Sequence, residues 1–283
     1  MGDLMAGKRG LIMGVANRNS IAWGAAKALS AQGAEIALTY QGEAFGRRVK
    51  PLAEEIGSKL VIPCDVEDTA SLDAVFDTLN SEWGSIDFVL HAIAFSDKSE
   101  LKGLYADTTR ENFTRTMVIS CFSFTEVAKR AAAIMHNGGA MVTMTYGGAE
   151  RVMPNYNVMG VAKAALEASV RYLAADFGPR NIRINAVSAG PVRTLAGAGV
   201  SDARLMFNFQ RRNAPMRRNT SIEEVGGSVL YLMSELSNGV TGEIHYVDSG
   251  YNIMSMPSLE ELKEQEHRKA VIEGDDEVAE GGK

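Results

Sequence analysis

The chain has 283 residues, of which 46% are hydrophobic and 23% are charged, a composition typical of a globular protein. This length allows one large α/β domain or two small ones. No segment approaches the roughly 20 consecutive apolar residues of a membrane span, and the N-terminus lacks the apolar core of an export signal. A formal net charge of −6 argues against a nucleic-acid-binding protein. We therefore expect a cytoplasmic protein that binds neither membrane nor nucleic acid.

Cysteine and histidine usage points away from metal chemistry. The two cysteines, Cys64 and Cys121, offer neither a disulfide framework nor metal-ligand spacing. The four histidines are scattered and match no zinc-binding pattern. We expect no metal site, and we expect both thiols to lie in the core.

Short apolar runs alternate with segments of helical period along most of the chain, the pattern of a parallel sheet covered by helices on both faces. The predicted strands are Gly10–Met13, Glu35–Thr39, Lys59–Cys64, Phe88–Ile93, Ala140–Met144, Arg183–Val187 and Glu243–Val247. The predicted helices are Ile21–Gln32, Ala44–Ile56, Leu72–Trp83, Arg110–Met135, Val158–Phe177 and Glu223–Ser234. No linker or internal repeat interrupts the pattern. The sequence therefore predicts one Rossmann-type, doubly wound α/β domain over residues 1–256, with a seven-stranded parallel sheet.

Two segments depart from this alternation. Residues 194–219 form a long stretch of mixed period, which predicts a substrate lid rather than an ordinary connection. Residues 257–283 contain nine acidic and four basic residues, a net charge of −5. This composition predicts a charged, disordered C-terminal tail.

The first predicted strand runs into a glycine-bearing turn, and a helix follows. Such a turn presents free backbone N–H groups and the positive end of the helix dipole to a pyrophosphate. Gly14 permits the tight turn, Ser20 can cap the helix or bond a phosphate, and Gly24 lets the helix approach the strand. The turn departs from the pattern G-x-G-x-x-G, so a plain strand–turn–helix corner remains an alternative.

The ends of the next three strands are consistent with a dinucleotide, because ligands of doubly wound sheets lie beyond the carboxyl ends of the strands. Asp65 can accept a hydrogen bond from an adenine amino group, although an Asp in this place is often only a cap. Small residues around Ile93 leave room for a flat ring. Gln41 ends the second strand and carries no charge, whereas Arg47 and Arg48 lie further along the chain. A 2′-phosphate is bound best by an arginine close to the strand end, so we expect NADH rather than NADPH.

Tyr156 precedes Lys163 by seven residues, which is two helical turns, so a regular helix places both side chains on one face. A nearby ammonium group makes a tyrosine hydroxyl a better proton donor and stabilises its anion. The pair therefore predicts acid–base chemistry. A core tyrosine with a surface lysine is the alternative, since any helix can carry that spacing.

The chain resembles the short-chain dehydrogenase/reductase family from residue 7 to about residue 255. Residues 185–194 read NAVSAGPVRT and match the family pattern N-x-V-x-x-G-P-x-x-T. Residues 241–250 read TGEIHYVDSG and match the terminal T-G-x…V-D-x-G segment. This resemblance implies a nicotinamide-dependent oxidoreductase.

Ordinary members of that family carry a serine followed by Tyr-x-x-x-Lys. When the segments are aligned on Lys163, Met159 stands in the tyrosine position and Tyr146 in the serine position. The common ketone-reducing arrangement is therefore absent. Tyr156 lies three residues before Met159, which is about 4.5 Å along a helix at ~1.5 Å per residue. A proton donor displaced by this distance suits an oxygen remote from the carbon that accepts hydride.

The segment from Tyr146 to Lys163 and the turn at residues 20–22 resemble those of the bacterial, NADH-using enoyl-acyl-carrier-protein reductases. That resemblance implies reduction of trans-2-enoyl thioesters to acyl thioesters in type II fatty-acid synthesis. It also implies an enoyl-acyl-carrier protein as substrate and a homotetramer. A related reductase of another activated alkene or of a ketone remains an alternative, as does a non-catalytic nicotinamide-binding regulator.

The resemblance assigns roles to individual positions. Lys163 is implied to hold the nicotinamide ribose, Tyr156 to bond the thioester oxygen, and Tyr146 to shape the pocket or assist proton delivery. The remaining cofactor contacts implied are Gly14, Ser20, Ile21, Gln41, Asp65, Val66, Ile93, Val192, Arg193, Thr194, Leu195 and Ala196. The substrate contacts implied are Ser96, Tyr156 and Met159, although Ser96 has an alternative as a plain loop serine.

In the family, basic residues on the helix after the lid meet the acidic carrier protein. Residues 201–206 of this chain contain a single basic residue, Arg204. Four further basic residues are available to compensate, namely Arg211, Arg212, Arg217 and Arg218, although a solvated charged face is the simpler account. The resemblance thus implies an acyl carrier protein as partner, without deciding which of these arginines contact it.

Overall fold

The computed structural model describes residues 2–192, 194, 203–264, 266 and 267. Its strands are β1 Arg9–Met13, β2 Glu35–Tyr40, β3 Leu60–Pro63, β4 Phe88–His91, β5 Gly139–Thr145, β6 Ile182–Ala189 and β7 Ile244–Val247. Its α-helices are α1 Ile21–Ala31, α2 Gly42–Glu55, α3 Thr69–Trp83, α4 Arg110–Met117, α5 Ser123–Ile134, α6 Asn157–Phe177, α7 Ala203–Asn213 and α8 Ile222–Met233. The seven strands form one parallel sheet in the order β3-β2-β1-β4-β5-β6-β7. The predicted doubly wound α/β fold is confirmed.

Side chains of each strand alternate between the two faces of the sheet, and both faces are covered. On β1, Leu11 and Met13 join a hydrophobic core with α3, α5 and α6. Ile12, between them, joins a second core with α1, α2 and α8. Because both faces are occupied by helices, the carboxyl edge of the sheet remains the place where a ligand can bind. The strand order reverses between β1 and β4, which puts a crevice there.

Two glycines bring α1 and α8 into close contact. A Cβ atom at Gly24 would lie 2.4 Å from the carbonyl oxygen of Ile222, and one at Gly226 would lie 2.6 Å from the carbonyl oxygen of Gly24. The prediction that Gly24 lets the helix approach the strand is therefore wrong. The glycine instead lets α1 pack against α8, which lies beside it over the same face of the sheet.

The long helix predicted over Arg110–Met135 is interrupted. Val118–Phe122 forms a turn of π-helix between α4 and α5. Within it, the Ser120 hydroxyl accepts a hydrogen bond from Phe95 N and donates one to Phe95 O, both at 2.9 Å. This turn ties the helix to the loop after β4, and such insertions are often found at functional sites. Apolar periodicity alone gives no sign of the interruption.

The predicted lid, residues 194–219, contains the helix α7. Its polar residues Gln210 and Asn213 are buried, which hides the helical period in the sequence. Residues 193 and 195–202 lie outside the described part of the chain. None of the described helices is long and apolar enough to cross a membrane.

Part of the segment predicted to be a disordered tail is ordered. Residues 259–264 are helical, and they contact the C-terminal turn of α7. The composition of the tail predicts disorder because it has few apolar residues to bury. In the structure, Ser258 and Glu261 instead have polar partners on α7. Residues 268–283 lie outside the described part.

Candidate active site

The turn after β1 depends on a glycine. Gly14 has a φ of +99°, and a Cβ atom there would lie 2.1 Å from the carbonyl oxygen of Ala92 in the loop after β4. Any larger residue would push the two loops apart at the point where the strand order reverses. Gly14 therefore keeps the crevice narrow, and the bottom of the crevice at this point consists of backbone atoms.

Ser20 stands at the start of α1 with its hydroxyl turned back into the loop. Its Oγ accepts hydrogen bonds from Ala16 N and Asn17 N, both at 3.0 Å. A hydroxyl that accepts twice still has its own proton to donate. The first N–H groups of a helix have no intrahelical partner. Ser20 and the N-terminus of α1, which opens with Ile21, thus present donors suited to a pyrophosphate.

The ends of β2 and β3 are joined by their side chains. Gln41 Nε2 donates to Asp65 Oδ2 at 3.0 Å, and Asp65 Oδ1 accepts from Glu67 N at 3.0 Å. This pair forms a polar edge suited to ribose or adenine, and its role in binding the cofactor stays a prediction. Arg47 lies 3.7 Å from Glu43 on the exposed side of α2.

The other predicted cofactor contacts lie in different parts of the structure. Val66 is buried, and Ile93 packs against the core below the crevice. Val192 packs against the opposite core, and Thr194 N donates to Val192 O at 2.8 Å. The remaining three lie outside the described residues, namely Arg193, Leu195 and Ala196.

Tyr156 is the residue that precedes α6, with φ −115° and ψ −26°. The expectation that it lies within a regular helix is therefore wrong, since Asn155 and Asn157 on either side have positive φ. Helical bonding nevertheless begins at Tyr156, whose carbonyl accepts from Met159 N at 2.9 Å and Gly160 N at 3.4 Å. The ring thus stands at the N-terminal end of the helix, one turn before Met159.

Tyr146 and Tyr156 contact each other edge to face, with ring centroids 5.2 Å apart and an interplanar angle of 73°. Burial raises the pKa of Tyr146 to about 12 and that of Tyr156 further still. Both hydroxyls therefore keep their protons at neutral pH and act as hydrogen-bond donors. The short helix Gly147–Ala149 brings the two rings together.

Gly148 makes room for the Tyr156 ring. A Cβ atom at Gly148 would lie 2.5 Å from Tyr156 Cδ1, and one at Gly160 would lie 2.8 Å from Gly148 O. The neighbouring Gly147 has no such restriction, because its Cβ would come no closer than 3.7 Å to Met153. The glycines at 148 and 160 thus fix the distance between the turn and α6.

Lys163 is 5% exposed, and its ammonium group donates to the carbonyl oxygen of Met144 at 2.8 Å. Burial lowers the pKa of Lys163 to about 8, against the opposing influence of Cys121 and Glu167. A lysine held in this way stays cationic near neutral pH but loses its proton more easily than one in water. It is a group suited to binding hydroxyls and stabilising negative charge.

Glu167 lies one turn after Lys163 and was not singled out by the sequence. It is 7% exposed and accepts a hydrogen bond from Thr145 Oγ1 at 2.7 Å. Burial raises the pKa of Glu167, which the Thr145 bond partly offsets. Lys163 and Glu167 thus hold the last two residues of β5 immediately before Tyr146. The four-residue spacing on a helix was the signal available in the sequence.

A neutral histidine lies beneath this site. His91, at the end of β4, is fully buried, with its ring nitrogens 3.1 Å from Thr143 Oγ1 and 2.9 Å from Ser123 Oγ. Burial, and secondarily the charge of Lys163, lowers the pKa of His91 to about 3. The imidazole therefore acts as a hydrogen-bonded support rather than as an acid or base.

The two remaining predicted substrate contacts are both buried. Met159 is 7% exposed and packs with Leu101 and Tyr156. Ser96 is also 7% exposed, and its Oγ accepts from Thr116 Oγ1 at 2.9 Å beside Asn112. The hydroxyl of Ser96 thus fixes the loop after β4 to α4. A role in binding substrate stays a prediction for both residues.

A family model described as "Enoyl-(Acyl carrier protein) reductase" matches residues 14–252. The chain belongs to this family. It is similar to "Enoyl-[acyl-carrier-protein] reductase [NADH] 2" of Rhizobium meliloti, with 72% identity over 263 residues, 93% of this chain and 98% of the relative. The family resemblance stated from the sequence is confirmed.

Solved structures of the family agree with the fold. FabI from Candidatus Liberibacter asiaticus is 59% identical and has a TM-score of 0.89, covering 91% of this chain and 100% of that chain. The enoyl-acyl-carrier-protein reductase from Anaplasma phagocytophilum, solved in complex with NAD, is 56% identical and has a TM-score of 0.88. That match covers 92% of this chain and 97% of that one.

Proposed function

We propose that the chain is an NADH-dependent enoyl-acyl-carrier-protein reductase, which reduces trans-2-enoyl thioesters to acyl thioesters in type II fatty-acid synthesis. The observation that carries the proposal is the placement of Tyr156 at the start of α6, one turn before the apolar Met159. In an enoyl thioester, hydride adds to the β-carbon and negative charge develops on the carbonyl oxygen, two carbons away. A hydroxyl displaced from the position of Met159 suits that remote oxygen.

The crevice between β1 and β4 fits a dinucleotide. Its floor at Gly14 is backbone, the α1 N-terminus and Ser20 offer donors for the pyrophosphate, and the Gln41–Asp65 pair offers polar atoms for ribose and adenine. NADH, when bound, supplies the hydride. Gln41 is neutral and the exposed Arg47 lies 3.7 Å from Glu43, which favours NADH over NADPH.

Tyr156 and Lys163 have separate roles in the reaction. The Tyr156 hydroxyl keeps its proton and donates a hydrogen bond to the thioester oxygen as that oxygen gains charge. Lys163, cationic and fixed to Met144 O, binds the ribose hydroxyls of the cofactor and supplies positive charge. Tyr146 contacts the Tyr156 ring and so orients its hydroxyl. Both tyrosines and the lysine are then required together.

The natural substrate is an enoyl group carried on acyl carrier protein, and the site of action is the cytoplasm. Arg211 and Arg212 lie in the last turn of α7, and an acidic carrier protein is complementary to them. The assembly is a homotetramer, as the family resemblance implies.

The test is selectivity for C=C over C=O. Nicotinamide oxidation is measured side by side with a trans-2-enoyl thioester and a 3-ketoacyl thioester of equal chain length. We expect the enoyl substrate to be reduced far faster, because Met159 has no proton to donate to an oxygen on the hydride-accepting carbon. Efficient ketoacyl reduction would instead favour a ketone reductase, and binding of NADH without turnover of either substrate would favour a regulator.

A further inference from the structure

The C-terminal segment and the helix α7 carry opposite charges. Residues 257–283 have a net charge of −5, whereas α7 has Arg211 and Arg212 in its last turn. The family match ends at residue 252, so this acidic segment lies beyond it. Its first part, the tail helix of residues 259–264, is in contact with α7.

The contact includes one hydrogen bond and two ion pairs. Ser258 N donates to Asn213 Oδ1 at 2.6 Å, and Asn213 is itself only 2% exposed. Arg212 lies 3.1 Å from Glu261 and 3.4 Å from Glu264. The buried side chain of Asn213 therefore holds the segment on α7, and the Arg212 guanidinium pairs with both Glu261 and Glu264.

Arg212 belongs to a wider basic surface, the arginine face of α7, formed by Arg204, Arg211 and Arg212. Arg204 and Arg211 are seven residues apart, so they lie on one side of the helix, and both are exposed. Neither has an acidic partner within the described part of the chain. On the inner side of α7, Gln210 lines the same small cavity as Tyr146. The helix thus separates this basic surface from the catalytic segment.

We propose that the acidic C-terminal segment competes with the acyl carrier protein for the arginine face of α7. This inference rests on the proposed function, in which an acidic carrier protein presents its thioester beside this helix. Exposed ion pairs are individually weak. A tethered segment, however, acts at an effective concentration of the order of millimolar, so weak contacts suffice for competition. The carrier protein must displace Glu261 and Glu264 before it can reach Arg212.

This competition has a specific kinetic signature. It raises KM for the carrier-linked substrate and leaves kcat unchanged, because among the described residues the tail helix contacts α7 and not Tyr146, Tyr156 or Lys163. A small thioester such as a trans-2-enoyl pantetheine does not need the arginine face, so its KM is unaffected. Salt screens exposed charges, and the difference between the two substrates should shrink at high ionic strength.

The experiment compares three full-length proteins: the natural chain, the double variant Glu261→Gln/Glu264→Gln, and the control Glu260→Gln/Glu266→Gln. The control removes the same charge from the same segment, but neither of its glutamates has an ion-pair partner within the described residues. We expect the first variant to lower KM for enoyl-carrier protein by roughly threefold to tenfold relative to the control. KM for the enoyl pantetheine should be equal in all three.

Equal KM values for the carrier-linked substrate in both variants would overturn the competition. So would an equal fall in KM for the pantetheine substrate, because the tail would then act on the reaction rather than on docking. Binding of the carrier protein itself, measured by fluorescence anisotropy in the same three proteins, tests the competition without turnover. A natural chain that binds the carrier protein but reduces neither thioester would overturn the proposed function alone.

Discussion

The cofactor half of the site, at the ends of β1 to β3, and the catalytic half, between β5 and α6, differ in what fixes their shape. In the cofactor half, backbone geometry dominates, since Gly14 adopts a positive φ and Ser20 is bonded to loop N–H groups. In the catalytic half, buried ionisable side chains dominate, with Lys163 fixed to Met144 O and Glu167 fixed to Thr145. The pKa values of Lys163, Glu167 and both tyrosines are shifted there by burial.

The difference follows from what each half has to bind. A pyrophosphate is recognised by N–H groups whose position any suitable turn can provide, so glycine and a small hydroxyl residue suffice. A developing enolate needs a proton donor and positive charge out of water, so the chain must bury polar groups and hold each one by a hydrogen bond. Changes in the catalytic half should therefore alter turnover, and changes in the cofactor half should alter cofactor affinity and choice.

The two largest effects are expected from Tyr156→Phe and Lys163→Ala. Tyr156→Phe removes a hydrogen bond made mainly in the transition state, so kcat for an enoyl thioester should fall by about 10², while KM changes little. Lys163→Ala should do more harm, because cofactor positioning and positive charge are lost together. Steady-state kinetics with saturating NADH measures both.

Tyr172→Phe is the matched control for the tyrosine, since Tyr172 lies on α6 and is 77% exposed. Its kcat should equal that of the natural chain. An undiminished kcat in Tyr156→Phe would contradict the assignment of the donor, and a similar loss in both variants would point to a change in the fold.

The prediction of the cofactor half used features that are local in the sequence. Gly14 follows β1 directly, Ser20 lies immediately before α1, and Asp65 lies two residues after β3. Their roles in binding the cofactor stay predictions. The catalytic half was predicted in part. Tyr156 and Lys163 were singled out by their spacing and by resemblance, but the positive φ values of Asn155 and Asn157, which leave Tyr156 outside the helix, were not predicted.

The features that were missed depend on contacts between distant parts of the chain. Glu167 was overlooked because its importance comes from burial against Thr145, 22 residues earlier. The π turn at Val118–Phe122 depends on a bond from Ser120 to the loop after β4. The tail helix depends on Asn213 and Arg212 of α7. Periodicity and composition reflect only the local preference of a segment for helix, strand or coil. They give no sign of these contacts, because none of the partners is a neighbour in sequence.

The cofactor half can be tested by its choice of cofactor. We expect kcat/KM to be about tenfold higher with NADH than with NADPH, because Arg47 is paired with Glu43 and Gln41 carries no charge. Arg47→Ala should leave both values nearly unchanged. A natural chain that uses both cofactors equally, and loses NADPH activity in Arg47→Ala, would show that this arginine leaves Glu43 to bind the 2′-phosphate.

A smaller effect is expected from Gly148→Ala. The added methyl group would meet the Tyr156 ring at 2.5 Å, so the ring must shift and the hydroxyl with it. We expect kcat to fall roughly threefold to tenfold, with little change in KM for NADH. Gly147→Ala is the control, because its methyl group meets nothing closer than 3.7 Å. Equal activity of the two variants would mean that the Tyr156 position is not set by this contact.

The smallest effect, and the most specific to the catalytic half, is a change of pH dependence in Glu167→Gln. Burial lowers the pKa of Lys163 to about 8, and the Glu167 carboxylate opposes that shift. If the charged lysine is required, activity is full below this pKa and is lost as pH rises through it. Removing the carboxylate lowers the lysine pKa further, so the alkaline fall in kcat/KM should move to lower pH.

Two observations separate this electrostatic role from a merely structural one. Glutamine can still accept the hydrogen bond from Thr145, so the melting temperature and kcat at pH 6.5 should stay near those of the natural chain. Asp176→Asn removes a carboxylate from the exposed end of the same helix and should leave the profile unchanged. An alkaline limb that does not move in Glu167→Gln, or that moves equally in Asp176→Asn, would show that Glu167 does not tune Lys163.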